Sequence, residues 1–402
     1  MLDPRWLLAL ILLDVWALWA RHALLAFVCT FCLSCAAAIK FWQRWSLRGV
    51  TYQRSLGRER AQLGEVVSFS ASFANDKLMP LSLLEVYDSL PRYAKLTGGT
   101  LRDDDSGIAC LYIARAMLPF TRITRRFEVR CERRGLHTFG PVRMRASDFL
   151  GVLPQHGGDN SVHELLVLPK IFALDLGTLS FRQLLGRVRA PRQLLDDPLS
   201  KRGARTYRAG DPLRSVDWRA SARSSSLMVR ELEPSAAPAL QVILDFSIHA
   251  PAGDRVEPDE LEFAIGLAAS IAAYADQHGM AVGLFGNGTS GGKLLALPAS
   301  RARDQVACVL ELLARASSRP FCPLAAVLSQ LRTSATSAGT WLVITDHLTA
   351  DALRLLRDAE RRGQPVTVLW TGAARPAAAS LRTLHGPYSK GWWQRDALTI
   401  AV

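Results

Sequence analysis

Two aspartates stand at the ends of apolar runs that each predict a buried strand. Residues 240–245 end in Asp245, and residues 340–346 end in Asp346. In an open α/β sheet the carboxyl ends of parallel strands lie along one edge, where ligands collect. We therefore expect both carboxylates at this edge, which is the first candidate for a binding site.

Serine and histidine side chains near these aspartates raise the question of nucleophilic catalysis. Ser247, His249 and Asp346 have the residue types of a Ser/His/Asp triad. However, no Gly-x-Ser-x-Gly sequence stands at a strand–helix turn, where a nucleophile elbow requires it. Residues 286–292 are glycine-rich but lack the Gly-Lys-Ser/Thr ending of a P-loop, so they predict a hairpin-like loop. We expect no catalytic residues and no small-molecule substrate.

Residues 238–402 alternate between strand and helix patterns. Apolar spacing predicts helices at 258–277, 304–314, 324–331 and 350–362 and further buried strands at 280–285, 294–297 and 366–370. Such alternation favours a mainly parallel sheet. We therefore interpret 238–402 as a C-terminal α/β domain.

Residues 50–170 have a different pattern. Residues 65–73 alternate apolar and polar side chains with a period of two, which predicts a half-buried strand. Similar short runs follow at 83–87, 108–117, 123–131 and 142–146, separated by glycine and proline turn signals. We interpret this region as a β-rich, sandwich-like domain.

The segment 181–235 is interpreted as a basic linker. Between Arg182 and Arg230 it has twelve basic residues against four acidic ones. Its arginines and aspartates can form bidentate pairs that fix the segment onto a domain surface, or its positive charge can bind an acidic partner or a phosphate group. Both alternatives concern the same motif: Arg205, Tyr207, Gly210, Asp211, Arg214, Asp217, Trp218, Ser221 and Arg223.

Residues 1–45 predict a transmembrane helical hairpin. Two almost entirely apolar runs, 6–20 and 23–39, are separated by an Arg-His pair. One continuous helix would place this pair at the centre of the bilayer, which is costly. Each run extends about 23–26 Å at a rise of about 1.5 Å per residue, and flanking tryptophans extend it into the interfaces. Asp14 is a candidate for a polar contact between the helices.

Charge and cysteine usage indicate where the soluble domains lie. Six basic residues occur from Lys40 to Arg60 against Glu59 alone, which places both termini and the soluble domains in the cytoplasm. The seven cysteines have no disulfide or metal-ligand spacing, in agreement with a reducing compartment. The net charge of +13 favours acidic surfaces such as membrane lipids, whereas the scarcity of aromatic residues among the arginines argues against nucleic acid.

The segment from Arg205 to Arg223 closely resembles the signature of the bacterial "domain of unknown function 58" family. That signature reads Arg-x-Tyr, two residues, Gly-Asp, two residues, Arg-x-Ile/Val-Asp-Trp, two residues and Ser-Ala-Arg. The resemblance covers nearly the whole chain, since the family typically has two N-terminal membrane helices and a β-rich region before this motif. One departure is Asp148-Phe-Leu-Gly151, where the family usually has Asp-Pro-Phe-Gly.

The C-terminal domain resembles the Rossmann-type von Willebrand factor type A fold, whose metal-ion-dependent adhesion site has Asp-x-Ser-x-Ser with a distant Thr and Asp. Asp245, Ser247 and Asp346 match three positions, and His249 replaces the second serine. The resemblance implies a degenerate site for Mg²⁺ or another divalent cation, with the imidazole shifting the preference toward Zn²⁺ or Mn²⁺. The alternative is a structural role in which Asp245 accepts hydrogen bonds. The distant threonine has no assigned position; residues 317–323, which contain no threonine, lie about where it belongs.

The family resemblance also implies a function. Its members accompany MoxR-type AAA+ ATPases, with the type A module as the docking element, in a chaperone-like or complex-assembly role. We therefore expect a non-enzymatic adaptor anchored in the bacterial inner membrane and facing the cytoplasm. Three alternatives remain. The first is a metal-dependent hydrolase, which would need a metal-bound water, and the second is a cell-envelope assembly scaffold without an ATPase partner. The third is a polyanion binder, whose affinity would depend steeply on salt and fall on substitution of Arg205, Arg208, Arg214 or Arg219.

Overall fold

The computed structural model describes residues 4–91, 94–103, 109–147, 155–175, 196–207, 216–224, 226–234, 239–248, 258–333, 339–372 and 381–400. The chain forms two compact units, Met1–Val167 and Leu168–Val402. Several residues of the sequence analysis lie outside the described ranges: Asp148, Gly151, Gly210, Asp211, Arg214 and His249. For Arg205 only the backbone is described.

The first unit begins with two helices that pack against each other. Helix α1 spans Pro4–Trp19 and helix α2 spans Ala23–Ser46. Between them the chain reverses at Arg21, whose φ of +58° lies in the left-handed region. The Thr30 hydroxyl donates a hydrogen bond to Oδ1 of Asp14 at 3.2 Å, so the predicted polar contact between the helices is present.

Helix α2 is the one described helix with the length and mean hydropathy of a membrane span. Its 24 residues extend about 36 Å, enough to cross a hydrocarbon core of about 30 Å. Helix α1 has 16 residues and extends about 24 Å, which is short for a span. A signal sequence near an N-terminus has the same features as α2. The described residues therefore contain one apolar helix suited to a membrane, and the transmembrane hairpin stays a prediction.

Three sheets follow in the described part of the first unit. Their strands are β1 (Val50–Leu56), β2 (Arg60–Gln62), β3 (Val66–Asn75), β4 (Leu81–Ser89), β5 (Ala94–Thr97), β6 (Thr100–Asp103), β7 (Ala109–Met117), β8 (Thr121–Cys131), β9 (Gly135–Phe139), β10 (Val142–Ser147), β11 (Gln155–Asp159) and β12 (His163–Leu168). The sheet orders are β1-β3-β8-β5, β11-β10-β4-β7-β6 and β2-β12-β9.

The two larger sheets share one apolar core. The alternation in β3 buries Val67, Phe69 and Ala71, so the strand predicted at 65–73 is confirmed. The same core contains Leu84 of β4 and Leu111 of β7, which belong to the other large sheet. The β-rich character predicted for this region is therefore confirmed, and its two main sheets are packed face to face.

A buried ion pair joins these two sheets. Nε of Arg54 on β1 donates to Oδ2 of Asp88 on β4 at 2.9 Å, and the second guanidinium bond to Oδ1 is 2.5 Å long. The Tyr52 hydroxyl donates to the same carboxylate at 2.5 Å, and burial raises the pKa of this tyrosine. Gly140 leaves room for the guanidinium, because a Cβ there would lie 2.9 Å from its nitrogens.

The segment predicted as a basic linker contains regular secondary structure. Strand β13 (Ala173–Asp175) precedes it, and β14 (Asp196–Thr206) pairs antiparallel with β15 (Met228–Pro234). Helix α3 (Trp218–Ser224) lies between the paired strands in sequence. Strand β14 contains one large apolar residue, Leu199, so its sequence lacks the alternation that would have predicted it.

A six-stranded sheet forms the core of the second unit. Its strands are β16 (Ala239–Leu244), β17 (Ala281–Ser290), β18 (Lys293–Ser300), β19 (Thr340–Thr345), β20 (Val366–Trp370) and β21 (Arg382–His385), and the helices between them are α4 (Pro258–Gln277), α5 (Gln305–Arg315), α6 (Leu324–Thr333) and α7 (Ala350–Arg361). The order is β18-β17-β16-β19-β20-β21, parallel except for β18. A further strand, β22 (Ala397–Thr399), pairs parallel with β13.

The central strands of this sheet are apolar over their whole length. Strands β16 and β19 are buried on both faces, which explains why their sequences do not alternate. The predicted parallel character is therefore present. Strand β17 is longer than predicted and extends through the glycine-rich stretch to Ser290, where it turns into β18. The predicted hairpin-like loop is thus the tight end of a longer hairpin.

Candidate functional site

The parallel sheet brings three chain segments together at one edge. Strand β16 lies between β17 and β19, so the residues at its carboxyl end have neighbours on both sides. Asp245 follows β16, and Thr345 is the last residue of β19. On the other side Gly286 pairs with Leu244, which places Asn287 beside Asp245.

The Asp245 carboxylate accepts hydrogen bonds from all three segments. Its Oδ1 accepts from the backbone N–H of Ser247 at 2.9 Å and from Nδ2 of Asn287 at 3.0 Å. Its Oδ2 accepts from the Thr345 hydroxyl at 3.0 Å. Asp245 is only 2% exposed. These hydrogen bonds therefore replace the bonds to water that the carboxylate loses when it is buried.

The orientation of the Asn287 amide follows from its other contacts. Its Oδ1 accepts from the backbone N–H of Phe246 at 2.6 Å, which assigns the oxygen to that side. Its Nδ2 therefore faces Asp245 and also donates to Oγ of Ser247 at 3.0 Å. Gly288 allows this approach, since a Cβ there would lie 2.8 Å from the Phe246 ring.

This arrangement does not fit a cation that bridges Asp245 and Ser247. The Asn287 amide nitrogen lies between the two oxygens and directs N–H groups at both, and an N–H donor cannot ligate a metal ion. Within the described ranges, no group of three or more His, Cys, Asp or Glu side chains is suited to hold a metal. The divalent-cation prediction therefore has no support from the geometry of these two residues.

The third predicted ligand, Asp346, forms a separate pair with His347. Nδ1 of His347 lies 2.7 Å from Oδ1 of Asp346, and the His347 side chain is 41% exposed. This hydrogen bond raises the pKa of His347 above its usual value, opposed by burial and assisted by the charge of Asp245. The pair places a group that can become cationic at the edge of the sheet.

The hydroxyl that contacts Asp245 comes from Thr345 rather than from residues 317–323. Thr345 Oγ1 also lies 2.6 Å from the carbonyl oxygen of His347, and its one proton can serve only one acceptor at a time. Ser317, in the segment about where that threonine belongs, accepts a hydrogen bond from the Thr289 hydroxyl at 3.2 Å.

Residues 317–323 nevertheless reach the site. The backbone N–H of Phe321 donates to the carbonyl oxygen of Asn287 at 2.6 Å, and the Phe321 side chain is 72% exposed. An aromatic ring therefore projects into solvent from a backbone that is tied to the Asn287 network.

Some side chains of the signature motif form hydrogen bonds within the fold, and others are exposed to solvent. Oδ1 of Asp217 accepts from the N–H groups of Arg219 and Ala220, both at 3.2 Å, at the start of α3. The Ser221 hydroxyl accepts from the N–H of Met228 at 2.8 Å and fixes α3 against β15. Other motif positions carry side chains that are partly or largely exposed: Tyr207, Trp218 and Arg223.

Four residues of the site were not predicted from the sequence. They are Asn287, Phe321, Thr345 and His347. Asn287 lies in a stretch that we interpreted as a loop. A polar residue between two glycines near the end of a strand could have indicated that it belongs to the site. The sequence offered no comparable signal for the other three.

Comparison with known proteins matches part of the chain to one family. Residues 203–372 match the family described as "Protein of unknown function DUF58". The match contains both the signature motif and the Asp245 network. The chain is also 24% identical over 328 residues to the "Uncharacterized protein YeaD" of Bacillus subtilis (strain 168), covering 81% of this chain and 76% of that protein.

Among solved structures the similarities are weak. The CARDB domain of the PF1109 protein from Pyrococcus furiosus is 9% identical over 30% of this chain and 87% of that chain, with a TM-score of 0.21. The GAE domain of GGA2p from Saccharomyces cerevisiae is 13% identical over 29% of this chain and 89% of that chain, with a TM-score of 0.20. Scores this low carry no argument about fold or function.

Proposed function

We propose that this chain is a membrane-anchored, non-enzymatic interaction protein that docks a partner protein at the carboxyl ends of its parallel strands. The observation that carries the proposal is Phe321, an exposed aromatic side chain whose backbone is bonded to the Asn287 network. Large aromatic side chains on a fixed support are the usual anchors of protein interfaces. The partly exposed Ser247 and His347 supply polar contacts around this anchor.

The polar network supports a docking role rather than a chemical one. Asp245 and Asn287 direct their hydrogen bonds at neighbouring strands, so they hold the strand ends in place. The Ser247 hydroxyl accepts from Asn287 at 3.0 Å. This contact gives no support to Ser247 as a nucleophile activated by a base. The metal-dependent hydrolase alternative gains no support either, because the amide donor occupies the place of a bridging cation.

Helix α2 supports the membrane anchor. Its exposed apolar side chains would be covered by lipid, and α1 packed beside it would complete the proposed hairpin. Basic residues at the end of α2, including Arg44 and Arg48, favour a cytoplasmic location for the domains after this helix. We infer that the anchor lies in a bacterial inner membrane, with both termini and the soluble parts in the cytoplasm.

The proposed partner is a MoxR-type AAA+ ATPase in a chaperone-like or complex-assembly role. The basis is resemblance to the DUF58 family, whose model matches 203–372, and to type A modules that dock other proteins. The exposed Trp218 and Arg223 are a second surface through which the same partner can be held. The alternative is an envelope-assembly scaffold without an ATPase partner.

The test is a binding measurement on the full-length chain in lipid nanodiscs, with the MoxR-type ATPase of the same organism in solution. Truncating an aromatic anchor typically costs about 2 kcal/mol or more, so Phe321→Ala is expected to weaken binding by about 30-fold. Arg361→Ala is the matched control, because this exposed residue ends α7 at the opposite edge of the sheet. Equal affinities for the wild type and Phe321→Ala would rule out this docking surface.

A binding failure of the wild type would favour the scaffold alternative. In that case the chain would still fractionate with membranes and resist extraction at alkaline pH, as an integral protein does. Release of the wild type by the same treatment would instead contradict the anchor itself.

A further inference from the structure

Three exposed apolar side chains lie at one end of the β-sandwich of the first unit. Leu78 is 78% exposed in the loop between β3 and β4, and Leu118 and Phe120 are 70% and 69% exposed in the turn between β7 and β8. We call these three residues the apolar tip. A single exposed apolar residue is ordinary, whereas several on one surface mark an interaction site.

Hydrogen bonds hold the two loops side by side. Nδ2 of the buried Asn75 donates to the carbonyl oxygens of Met79 and Leu118, both at 3.0 Å. The backbone N–H of Phe120 donates to the carbonyl oxygen of Lys77 at 3.3 Å. The apolar tip is therefore one surface and not two unrelated loop ends.

Phe120 occupies a backbone conformation that a phenylalanine rarely adopts. Its φ is +51°, in the left-handed region, and three-residue hairpin turns usually place glycine at such a position. Because the ring is largely exposed, packing in the core does not account for this strain. Residues with a strained backbone often have a functional role. For Phe120 that role would be contact between its exposed ring and a molecule outside the β-sandwich.

The apolar tip lies where α2 ends. Nζ of Lys77 donates to the carbonyl oxygens of Trp45, at 2.9 Å, and of Ser46, in the last turn of the helix. The backbone N–H of Asp76 donates to the carbonyl oxygen of Gly49 at 2.9 Å. The loop that carries Leu78 is thus tied directly to the point at which the chain leaves α2.

The end of α2 has the residue types of a membrane–water interface. Phe41 and Trp45 are exposed and stacked, with ring centroids 5.7 Å apart. The guanidinium of Arg48 lies 4.8 Å from the centre of the Trp45 ring. Aromatic and basic side chains together are typical of the headgroup level of a bilayer.

We propose that the apolar tip inserts into the headgroup–acyl boundary of the bilayer beside α2. The inference rests on the proposed membrane anchor. From Lys40, the first charged residue after the apolar run, to Ser46 the helix rises about 9 Å, close to the thickness of one headgroup layer at about 5–8 Å. The loops tied to Ser46 therefore lie at the membrane surface, and leucine and phenylalanine side chains reach into it. The exposed Arg122 beside them suits anionic headgroups.

The insertion gives the β-sandwich a defined contact with the membrane. Hydrogen bonds hold the β-sandwich to the end of α2, and without a further contact its orientation to the bilayer would depend on this one connection. A second contact, formed by the apolar tip, fixes that orientation. The proposed binding partner of the apolar tip is thus phospholipid. The alternative is that a second protein covers it.

The test uses the photoreactive residue p-benzoylphenylalanine at single positions of the full-length chain in nanodiscs that contain phosphatidylglycerol. Position 120 replaces Phe120, position 31 replaces the exposed Phe31 of α2, and position 66 replaces the exposed Val66. Val66 is the matched control, because it begins β3 about 30 Å from Asn75 at the other end of the strand. Lipid adducts are measured by mass spectrometry after irradiation.

We expect lipid adducts at positions 31 and 120, with a yield at 120 several-fold above that at 66. Adducts at 31 but not at 120 would overturn the insertion and leave the anchor intact. No adduct at 31 would contradict the anchor and the insertion together. Adducts of position 120 with protein would overturn the insertion and assign the surface to a protein partner. If the variant at 120 fails to fold, the same comparison is made at position 118.

Discussion

Asn287 sets the chemistry of the strand ends through the direction of its side-chain amide. Its oxygen is held by the N–H of Phe246, so its two N–H groups face the oxygens of Asp245 and Ser247. In this position the amide supplies the positive end of a dipole where a cation would otherwise neutralise the carboxylate. A site of this kind can support docking in the absence of a metal.

The metal dependence of melting tests this role of Asn287. We expect no change in the melting temperature of the wild type, measured on the full-length protein in detergent, on addition of Mg²⁺, Mn²⁺ or Zn²⁺. In Asn287→Asp a second carboxylate faces Asp245, so the variant is destabilised by about 1–3 kcal/mol. Divalent cations should then raise its melting temperature, because they bind the folded state.

The control for this experiment is Asp245→Ala. If the wild type melts at a higher temperature with Mg²⁺ and the increase disappears in Asp245→Ala, the metal-free interpretation is wrong. The predicted adhesion-type site would then bind a cation after rearrangement of the Asn287 amide.

At the scale of elements, the Arg54–Asp88 pair connects the two large sheets of the first unit. Both side chains are 1% exposed, and Arg54 also donates to the carbonyl oxygen of Phe139 at 2.7 Å. Burial raises the pKa of Asp88, opposed by the adjacent guanidinium, which donates two hydrogen bonds to the carboxylate. The pair therefore fixes how β1 lies over β4.

Removal of one partner is expected to destabilise the first unit strongly. Asp88→Asn leaves the Arg54 charge buried without a counter-ion, at a cost of about 3–5 kcal/mol in the free energy of unfolding. Glu65→Gln is the matched control, since its pair with the exposed Arg58 is open to solvent and should contribute about 1 kcal/mol or less. Similar losses in the two variants, measured by denaturant unfolding, would contradict the structural importance of the buried pair.

The elements that the sequence predicted well are those with a strong pattern. The buried strands at 240–245 and 340–346 and the helix at 258–277 are present, because long apolar runs and helical spacing have few alternative structures. Strand β14 was missed because its sequence lacks the apolar–polar alternation by which a strand is predicted. The extension of β17 was missed because glycines, which usually end a strand, here make room for the Phe246 ring.

The candidate site was only partly predictable for a related reason. Parallel strands bring their carboxyl ends together whatever their sequence, so the position of Asp245 followed from the pattern. The partners of Asp245 depend on register, and register is set by the packing of the whole sheet. Thr345 rather than Asp346 contacts Asp245 because a one-residue step in a strand reverses the direction of the side chain.

At the scale of the whole chain, charge and hydropathy distinguish a part that can contact lipid from a part that can contact another protein. Helix α2 carries the apolar surface, and basic residues come after it. The proposed docking edge belongs to the second unit, within the range that matches the DUF58 model. The proposed adaptor role needs both features in one chain, since the anchor would localise the partner that the proposed docking edge binds.

Hydrogen–deuterium exchange of the full-length chain in nanodiscs, with and without the MoxR-type ATPase, tests docking at the strand ends most directly. We predict slower exchange on binding at residues 317–323, whose backbone is bonded to the Asn287 network, and no change at 358–363 on the opposite edge. Binding that leaves 317–323 unchanged and protects another part of the chain would contradict docking at the carboxyl ends of the strands.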